Sequence, residues 1–285
     1  MSVVTNLPTR IGVLGGGRMG AGIAHAFLVH GCEVLVVERD DDAAAAARDR
    51  VESAVAKSVE RGLADSPADH AARLVVSTNY AHFTPCELVV EAVPEIWDLK
   101  VSSLQGVEKH LTDDAVLASN TSSLSMSGLA AELERPHNFI GLHFFNPVPA
   151  STLIEVVIAE QTSPELVTTA KGWVEALGKT AVVVNDAPGF ASSRLGVAIA
   201  LEAMRMVQEG VASAEDIDNA MVLGYKHPTG PLRTTDIVGL DVRLGIAEYL
   251  AETLGDRFAP PQILRDMVAR GELGRKSGQG FFHWA

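Results

Sequence analysis

A glycine-rich segment near the N-terminus constrains the fold more than any other part of the sequence. An apolar strand is predicted at 10–14, and Gly15-Gly16-Gly17-Arg18-Met19-Gly20 follows it directly. A helix is predicted over 23–30, and a second strand over 34–37 ends at Glu38, 23 residues after the first of these glycines. Strand, G-x-G-x-x-G, helix, strand and acidic residue in this order are typical of a dinucleotide-binding unit.

Each glycine of this motif has a separate physical role. Gly15 makes the tight turn, Gly17 lets the backbone approach a pyrophosphate, and Gly20 lets the helix pack on the strand. Arg18 and Met19 lie in the same loop, and the N-terminus of the following helix stabilises phosphate groups. We therefore expect these five residues to bind the cofactor.

Glu38 bears on the choice of cofactor. Its carboxylate would accept hydrogen bonds from the adenosine ribose and repel a 2′-phosphate, which favours NAD over NADP. The neighbouring Arg39 would favour NADP instead, because an arginine accommodates that phosphate. On balance, NAD is the predicted cofactor.

Strands and helices alternate along the chain only as far as residue 184. Further apolar strands are predicted at 74–77, 88–91, 115–118 and 180–184. After Pro188-Gly189 almost no strand signal remains, and helices are predicted at 190–209, 214–223, from 230, near 241–254 and near 261–270. We predict an α/β Rossmann-type dinucleotide-binding domain over 1–186 and an all-α C-terminal domain over 187–285.

The composition argues against several classes of partner. The net charge of −13 is unsuited to binding nucleic acid or an anionic membrane. Cys32 and Cys86 lie in no CxxC motif, so they predict neither a disulfide framework nor a zinc site, and no metal is expected. The N-terminus lacks a signal-peptide pattern, and no apolar stretch reaches the roughly 18 residues of a membrane span. We expect a cytoplasmic protein.

The chemistry is predicted to lie in residues 141–149 and the apolar segment 153–158, which form two short strands joined by a proline-containing turn. Glu155 lies among five aliphatic residues, where a carboxylate is costly without a partner. The turn could bring His143 alongside, and a histidine oriented by a glutamate is a general base. The alternative is that Glu155 lies on a solvated face and His143 is one of nine ordinary histidines. Spacing alone leaves both open.

Two further groups have both a functional and a structural interpretation. Arg50, Lys57 and Arg61 share one face of a helix predicted at 42–62, which indicates a solvated face more readily than a phosphate site. The polar run 119–123 follows a predicted strand, where open α/β sheets bind ligands, but it suits a helix cap equally well.

Taken together, these segments resemble the 3-hydroxyacyl-CoA dehydrogenase family, especially the short bacterial 3-hydroxybutyryl-CoA dehydrogenases. The resemblance covers nearly the whole chain. It rests on the glycine turn, Val89-Val90-Glu91-Ala92, residues 118–124 and 141–149, Pro188-Gly189-Phe190, Glu215-Asp216-Ile217-Asp218, Gly230-Pro231, Val238-Gly239-Leu240-Asp241 and residues 274–281. Segments 118–124 and 141–149 are highly specific in combination, whereas many folds share the glycine turn.

The resemblance implies roles for three residues at the reacting centre. His143 matches the catalytic acid/base, Glu155 matches its partner, and Ser122 matches the serine that hydrogen-bonds the C3 oxygen of the substrate. Asn120 lies in the same loop as Ser122, where the resemblance implies contact with both cofactor and substrate.

The resemblance also implies binding residues outside the reacting centre. Glu95 and Lys100 match cofactor-contacting positions near the nicotinamide ribose. Lys57 and Arg61 fall in the helix that meets the CoA phosphates in relatives, which favours the phosphate interpretation of that basic face.

One position departs from the family pattern. Where the family has Asn in Pro-Gly-Phe-x-x-Asn-Arg, this chain has Ser193. That Asn helps to hold the reacting end of the substrate. A serine is shorter and lacks the paired donor and acceptor of an amide, so Ser193 acts through water or does not reach the substrate. Turnover and the preferred acyl chain are the properties that this change puts in doubt.

The implied activity is NAD-dependent oxidation of (S)-3-hydroxyacyl-CoA, short-chain 3-hydroxybutyryl-CoA above all, to 3-oxoacyl-CoA, or the reverse reaction. The implied assembly is a homodimer formed through the helical domain. A dehydrogenase of a free hydroxy acid such as L-gulonate is the alternative that Ser193 leaves open. A β-hydroxyacid dehydrogenase would need a catalytic Lys on helix 190–209, which has none. A nucleotide-binding structural or regulatory protein would predict loss of His143, Glu155 or Ser122, and all three are present.

Overall fold

The computed structural model describes residues 7–64 and 66–284. These residues form two compact units, the first ending at Asp186 and the second beginning at Ala187. Each unit has its own hydrophobic core.

The first unit is built on one sheet of eight strands. They are β1 (Arg10–Leu14), β2 (Glu33–Val37), β3 (Leu74–Ser77), β4 (Leu88–Glu91), β5 (Val116–Ser119), β6 (Phe139–Phe144), β7 (Leu153–Ile158) and β8 (Thr180–Asn185). Their order in the sheet is β3-β2-β1-β4-β5-β6-β7-β8. All neighbours are parallel except β6 and β7. This confirms the predicted Rossmann-type fold.

Helices connect the parallel strands of this sheet. They are α1 (Arg18–Val29), α2 (Asp41–Glu60), α3 (Pro67–Ala71), α4 (Trp97–Glu108), α5 (Met126–Ala131) and α6 (Pro164–Ala176). The start of α2 follows from local chemistry, because the Asp40 carboxylate accepts a hydrogen bond of 2.7 Å from the Ala43 amide. Strands covered on both faces are mainly apolar, and all four residues of β4, including Glu91 at its end, are buried.

Helix α1 begins at Arg18, five residues before the start that the sequence predicted. Glycines weaken a helix, so propensity alone favours a start after the glycine motif. The close approach of the helix to the turn explains the difference. A Cβ atom on Gly20 would lie 1.7 Å from the carbonyl oxygen of Gly15, so only glycine permits this packing.

The second unit is helical, as predicted. Its helices are α7 (Ser192–Gln208), α8 (Ala214–Asn219), α9 (Pro231–Val238), α10 (Leu240–Leu254) and α11 (Gln262–Ala269). Val197, Leu201 and Met204 recur at helical spacing on α7 and are buried in its core. Across residues 7–64 and 66–284, no helix combines the length and the apolar character needed to cross a bilayer.

Candidate active site

The glycine turn opens a cleft at the carboxyl ends of β1 and β2. Gly15 has a φ of +89°, a conformation that side chains other than glycine rarely adopt. A Cβ on Gly17 would meet nothing within 4 Å, so the backbone there is open to a ligand. The half-buried Glu38 reaches back from the end of β2, and its Oε1 accepts a hydrogen bond of 2.6 Å from the amide of Gly16.

A cavity of about 480 Å³ lies against this turn, and Gly15, Gly17, Arg18, Met19 and Glu38 all line it. The N-terminus of α1 faces the turn with its first amide groups unused by the helix, and such a terminus stabilises phosphate. The acidic residue, the open glycine and the helix N-terminus are the features that suit a dinucleotide.

Arg39 is the residue that could have favoured a phosphorylated cofactor. Its guanidinium is instead exposed and paired with Asp40, with 2.9 Å between Nε and Oδ2. Arg18 and Arg39 also line the cofactor cavity, but Glu38 is the charged side chain that accepts a hydrogen bond from an amide of the glycine turn, and this arrangement suits NAD.

The sheet brings His143 and Glu155 together. Strands β6 and β7 are antiparallel, and the two residues lie directly opposite each other in the register. Opposite residues point to the same face of a sheet, with about 5 Å between their Cβ atoms. The Nδ1 of His143 lies 2.8 Å from Oε2 of Glu155, and both side chains are buried. The solvated alternative for Glu155 is therefore wrong.

This pairing sets the proton positions on the imidazole. A carboxylate only accepts hydrogen bonds, so Nδ1 carries the proton that it donates to Glu155. In the neutral ring the acceptor lone pair is then on Nε2. The ring of Phe145 packs 4.5 Å from the imidazole, centroid to centroid, and restricts its rotation. The arrangement can take a proton on Nε2 and stabilise the resulting imidazolium.

Glu95 hydrogen-bonds the serine-rich loop that follows β5. Its Oε1 accepts hydrogen bonds from the hydroxyl of Thr121 at 2.5 Å and from the amides of Ser122 and Ser123 at 2.8 and 3.0 Å. Burial raises the pKa of Glu95, but the Lys100 ammonium and the hydrogen bonds from residues 121–123 outweigh it, so its pKa lies below the ordinary value.

Asn120 joins this loop to the strand that carries His143. Its side-chain oxygen accepts a hydrogen bond of 2.8 Å from the amide of Phe144. Since β5 and β6 are parallel neighbours, Ser122 and His143 lie at the same edge of the sheet. Asn120 thus positions the strand end beside His143, a role that the sequence did not suggest.

Lys100 is almost fully buried and paired with a carboxylate that sequence reasoning did not select. Its Nζ donates to Oε1 of Glu91 at 2.7 Å and lies 3.3 Å from Oε2 of Glu95. Glu91 is fully buried, and its other oxygen accepts a hydrogen bond of 2.6 Å from the hydroxyl of Ser119. The sequence signal that could have identified this pair is a glutamate at the end of an apolar strand, nine residues before a lysine.

The basic face of α2 lines a second cavity of the first unit. This cavity measures about 860 Å³, and its cationic lining residues are Arg18, Arg50, Lys57 and Arg61. Arg50 is tied to the glycine turn through a hydrogen bond of 3.2 Å to the carbonyl oxygen of Gly16. Lys57 and Arg61 are exposed and form no ion pair with another described residue.

Ser193 belongs to the second unit and is the second residue of α7. Its side chain is half-buried. Gly196 follows it by one helical turn on the same face.

Comparisons with known proteins agree over both units. The family model for the NAD binding domain of 3-hydroxyacyl-CoA dehydrogenase matches residues 10–187, and the model for the C-terminal domain matches residues 189–284. A probable 3-hydroxybutyryl-CoA dehydrogenase of Deinococcus radiodurans is 40% identical over 277 residues, covering 96% of this chain and 100% of that protein.

Two further relatives cover the same length. The 3-hydroxybutyryl-CoA dehydrogenase of Mycobacterium tuberculosis is 39% identical over 278 residues, covering 96% of this chain and 97% of that protein. The crystal structure of (S)-3-hydroxybutyryl-CoA dehydrogenase from Ralstonia eutropha superimposes with a TM-score of 0.93 at 37% identity, covering 98% of this chain and 99% of that one.

Proposed function

The chain belongs to the 3-hydroxyacyl-CoA dehydrogenase family and is an NAD-dependent oxidoreductase, and on that basis we propose that it interconverts (S)-3-hydroxyacyl-CoA and 3-oxoacyl-CoA. The proposal includes the short-chain substrate 3-hydroxybutyryl-CoA, after which the relatives are named.

One observation carries the proposal. A histidine and a glutamate, both buried and 2.8 Å apart, lie at the carboxyl-terminal edge of a sheet whose first turn suits a dinucleotide. Burying a carboxylate is costly, and the pairing with His143 offsets that cost most fully when the imidazole is protonated. A site that stabilises a transient imidazolium is suited to moving one proton.

The mechanism follows from the positions of the two ring nitrogens. In the oxidative direction Nε2 of neutral His143 takes the proton of the 3-hydroxyl as C3 loses a hydride. NAD, when bound, supplies the acceptor for that hydride. Glu155 stabilises the imidazolium, and the hydroxyl of Ser122 positions the C3 oxygen. In reverse, imidazolium protonates the nascent alkoxide. General base catalysis of this kind contributes on the order of 10²–10⁴-fold.

Glu95 and Lys100 support the cofactor end of the site. Lys100 holds Glu95, and Glu95 holds the serine loop, so the hydrogen bonds of residues 121–123 couple the loop to the cofactor cleft. We propose that this chain of contacts keeps Ser122 and Asn120 in place beside the cofactor and the substrate.

Lys57 and Arg61 are proposed to bind the phosphates of CoA. Both are exposed on the lining of the basic cavity, and neither forms an ion pair with another described residue, so both remain available to a phosphate. This local basic patch matters because the chain as a whole carries a net charge of −13 and repels anions.

A homodimer formed through the second unit is also proposed. Large apolar side chains are exposed on α7, α9 and α10, namely Leu195, Ile199, Ile237, Val238 and Val242. Exposed apolar side chains grouped on neighbouring helices often mark an interface. Sedimentation that finds only monomer at micromolar protein concentration would count against the dimer.

The direct test replaces His143 with alanine. Reduction of acetoacetyl-CoA is followed through NADH absorbance, with His137→Ala as the matched control because that histidine is exposed. We expect His143→Ala to lose at least a hundredfold in kcat and the control to keep the parent rate. A His143→Ala rate within about tenfold of the parent would make the assignment wrong. Longer 3-oxoacyl-CoA thioesters and gulonate, assayed alongside, decide the substrate.

A further inference from the structure

A cluster of three charged side chains lies where β4 ends and α4 begins. Nζ of Lys100 is 2.7 Å from Oε1 of Glu91 and 3.3 Å from Oε2 of Glu95. Within residues 7–64 and 66–284, no other cation forms an ion pair with either carboxylate. Two carboxylates and one ammonium leave the charge cluster of Glu91, Glu95 and Lys100 with one net negative charge.

Both carboxylates of the charge cluster are ionised, because hydrogen-bond donors surround their oxygens. Glu91 accepts hydrogen bonds from the ammonium of Lys100 at 2.7 Å and from the hydroxyl of Ser119 at 2.6 Å. Glu95 accepts them from amides and hydroxyls of residues 121–123, and Lys100 pairs with its other oxygen. A protonated carboxyl group would need an acceptor at one of these positions, and donors occupy them. The net negative charge is therefore present at neutral pH.

The charge cluster lies behind one wall of the cofactor cavity. Val93 and Pro94, between the two carboxylates in the chain, line that cavity, and so does Leu99 next to Lys100. The carbonyl oxygen of Val93 accepts a hydrogen bond of 3.1 Å from Nζ of Lys100. The side chains of Lys100 and Glu91 are 1% and 0% exposed. Water screens buried charges poorly, so the field of the charge cluster extends into the cavity.

Glu95 also links the charge cluster to the reacting end of the site. The amide of Ser122 donates a hydrogen bond of 2.8 Å to its Oε1. In the proposed function the hydroxyl of Ser122 positions the C3 oxygen of the substrate, and a hydride passes between C3 and the nicotinamide ring. Direct hydride transfer needs contact between the two reacting carbon atoms. The bound nicotinamide ring is therefore close enough to Glu95 to interact with its charge.

We propose that the net negative charge of this cluster sets the relative affinity of the site for the two forms of the cofactor, by stabilising bound NAD+ relative to bound NADH. This inference rests on the proposed function, which places the nicotinamide ring beside Ser122. The ring of NAD+ carries a positive charge. A hydride brings two electrons and one proton, so the ring of NADH is neutral. The charge cluster attracts the ring of the first form, and the ring of the second offers no net charge to attract.

The experiment measures the Kd of NAD+, NADH and ADP-ribose for the full chain by isothermal titration calorimetry. Glu95→Gln removes the charge and keeps the length of the side chain and one acceptor oxygen. Because 34% of this side chain is exposed, the change should leave the fold intact. Glu95→Asp keeps the charge and shortens the side chain, which separates charge from geometry. Glu87→Gln is the matched control, because Glu87 is exposed and immediately precedes β4, at the opposite end of the strand from Glu91.

We expect Glu95→Gln to raise the ratio of the Kd of NAD+ to the Kd of NADH roughly tenfold, because a unit charge near a charged ring at a protein surface changes its affinity by about this factor. The Kd of ADP-ribose, which lacks the ring, should stay within about twofold of the parent value. Glu95→Asp and Glu87→Gln should keep the parent ratio, even where the shorter side chain weakens the binding of both cofactor forms.

A Glu95→Gln ratio within about threefold of the parent ratio would overturn the inference, since Glu95 would then only position the serine-rich loop. So would an equal rise of the ratio in Glu95→Asp, or a loss of ADP-ribose affinity as large as the loss of NAD+ affinity. Reduction of acetoacetyl-CoA by the parent tests the proposed function separately. If the parent did not reduce it but the ratio changed as expected, the proposed function would fail and the charge effect would stand. Turnover with an unchanged ratio in Glu95→Gln would leave the dehydrogenase and remove the inference.

Discussion

The pairing of Glu155 with His143 makes a quantitative prediction for Glu155→Gln. Glutamine has nearly the shape of glutamate and still accepts a hydrogen bond from Nδ1, but it carries no charge. The neutral histidine therefore keeps its orientation. The imidazolium that forms during oxidation loses the carboxylate that stabilises it.

The size of the effect follows from the burial of the pair. Glu155 is 0% exposed and His143 is 6% exposed, so water does not screen their interaction. A hydrogen bond to a charged group contributes about 1.5–3 kcal/mol. Each ~1.4 kcal/mol is a factor of ten in rate, so kcat should fall by roughly 10- to 150-fold.

The assay is steady-state oxidation of (S)-3-hydroxybutyryl-CoA with NAD, followed by absorbance of NADH. The matched control is Glu160→Gln, which removes an exposed carboxylate just beyond the end of β7 and should not change kcat. Thermal unfolding of Glu155→Gln should stay within a few degrees of the parent, which separates lost chemistry from lost folding. A kcat within threefold of the parent would refute the role assigned to this carboxylate.

Three further predictions concern cofactor choice, CoA binding and acid stability. Arg61→Glu should raise the KM for acetoacetyl-CoA more than the KM for a thioester truncated to lack the nucleotide. Arg48→Glu on the same helix is the control and should change the two KM values equally. If Arg61→Glu also changed them equally, α2 would not belong to the CoA site. Glu38→Ala should raise the kcat/KM ratio of NADPH to NADH at least tenfold, because it removes the carboxylate at the glycine turn, and an unchanged ratio would show that Glu38 does not select the cofactor. Burial, with the nearby charges, lowers the pKa of His25 to about 4 from an ordinary 6.5. As the pH falls, the unfolded chain therefore binds the proton before the folded chain does. The free energy of unfolding that is present above pH 6.5 should fall by about 3 kcal/mol as the pH drops to 4. Chemical denaturation at several pH values should show that His25→Gln lacks this loss.

The local patterns of the sequence were sufficient for the fold of the first unit. The glycine turn, the strands on either side and Glu38 lie within 29 residues, and their conformations depend on sterics and hydrogen bonds between near neighbours. The loss of strand patterning after Asn185 likewise predicts a helical second unit, because strands and helices need different apolar spacings. The start of α1 was misplaced because the contact of Gly20 with Gly15 is a packing effect rather than a propensity.

The partners of the buried charges were decided only by the tertiary structure. Spacing left Glu155 either solvated or paired, and the antiparallel register of β6 and β7 places it opposite His143. Nothing in the chain order distinguished Arg243, which is without a carboxylate partner among the described residues, from the paired arginines on the surface. Which charges lose water, and which groups then face them, depends on contacts between residues far apart in sequence. Those contacts exist only once strand register and helix packing are set.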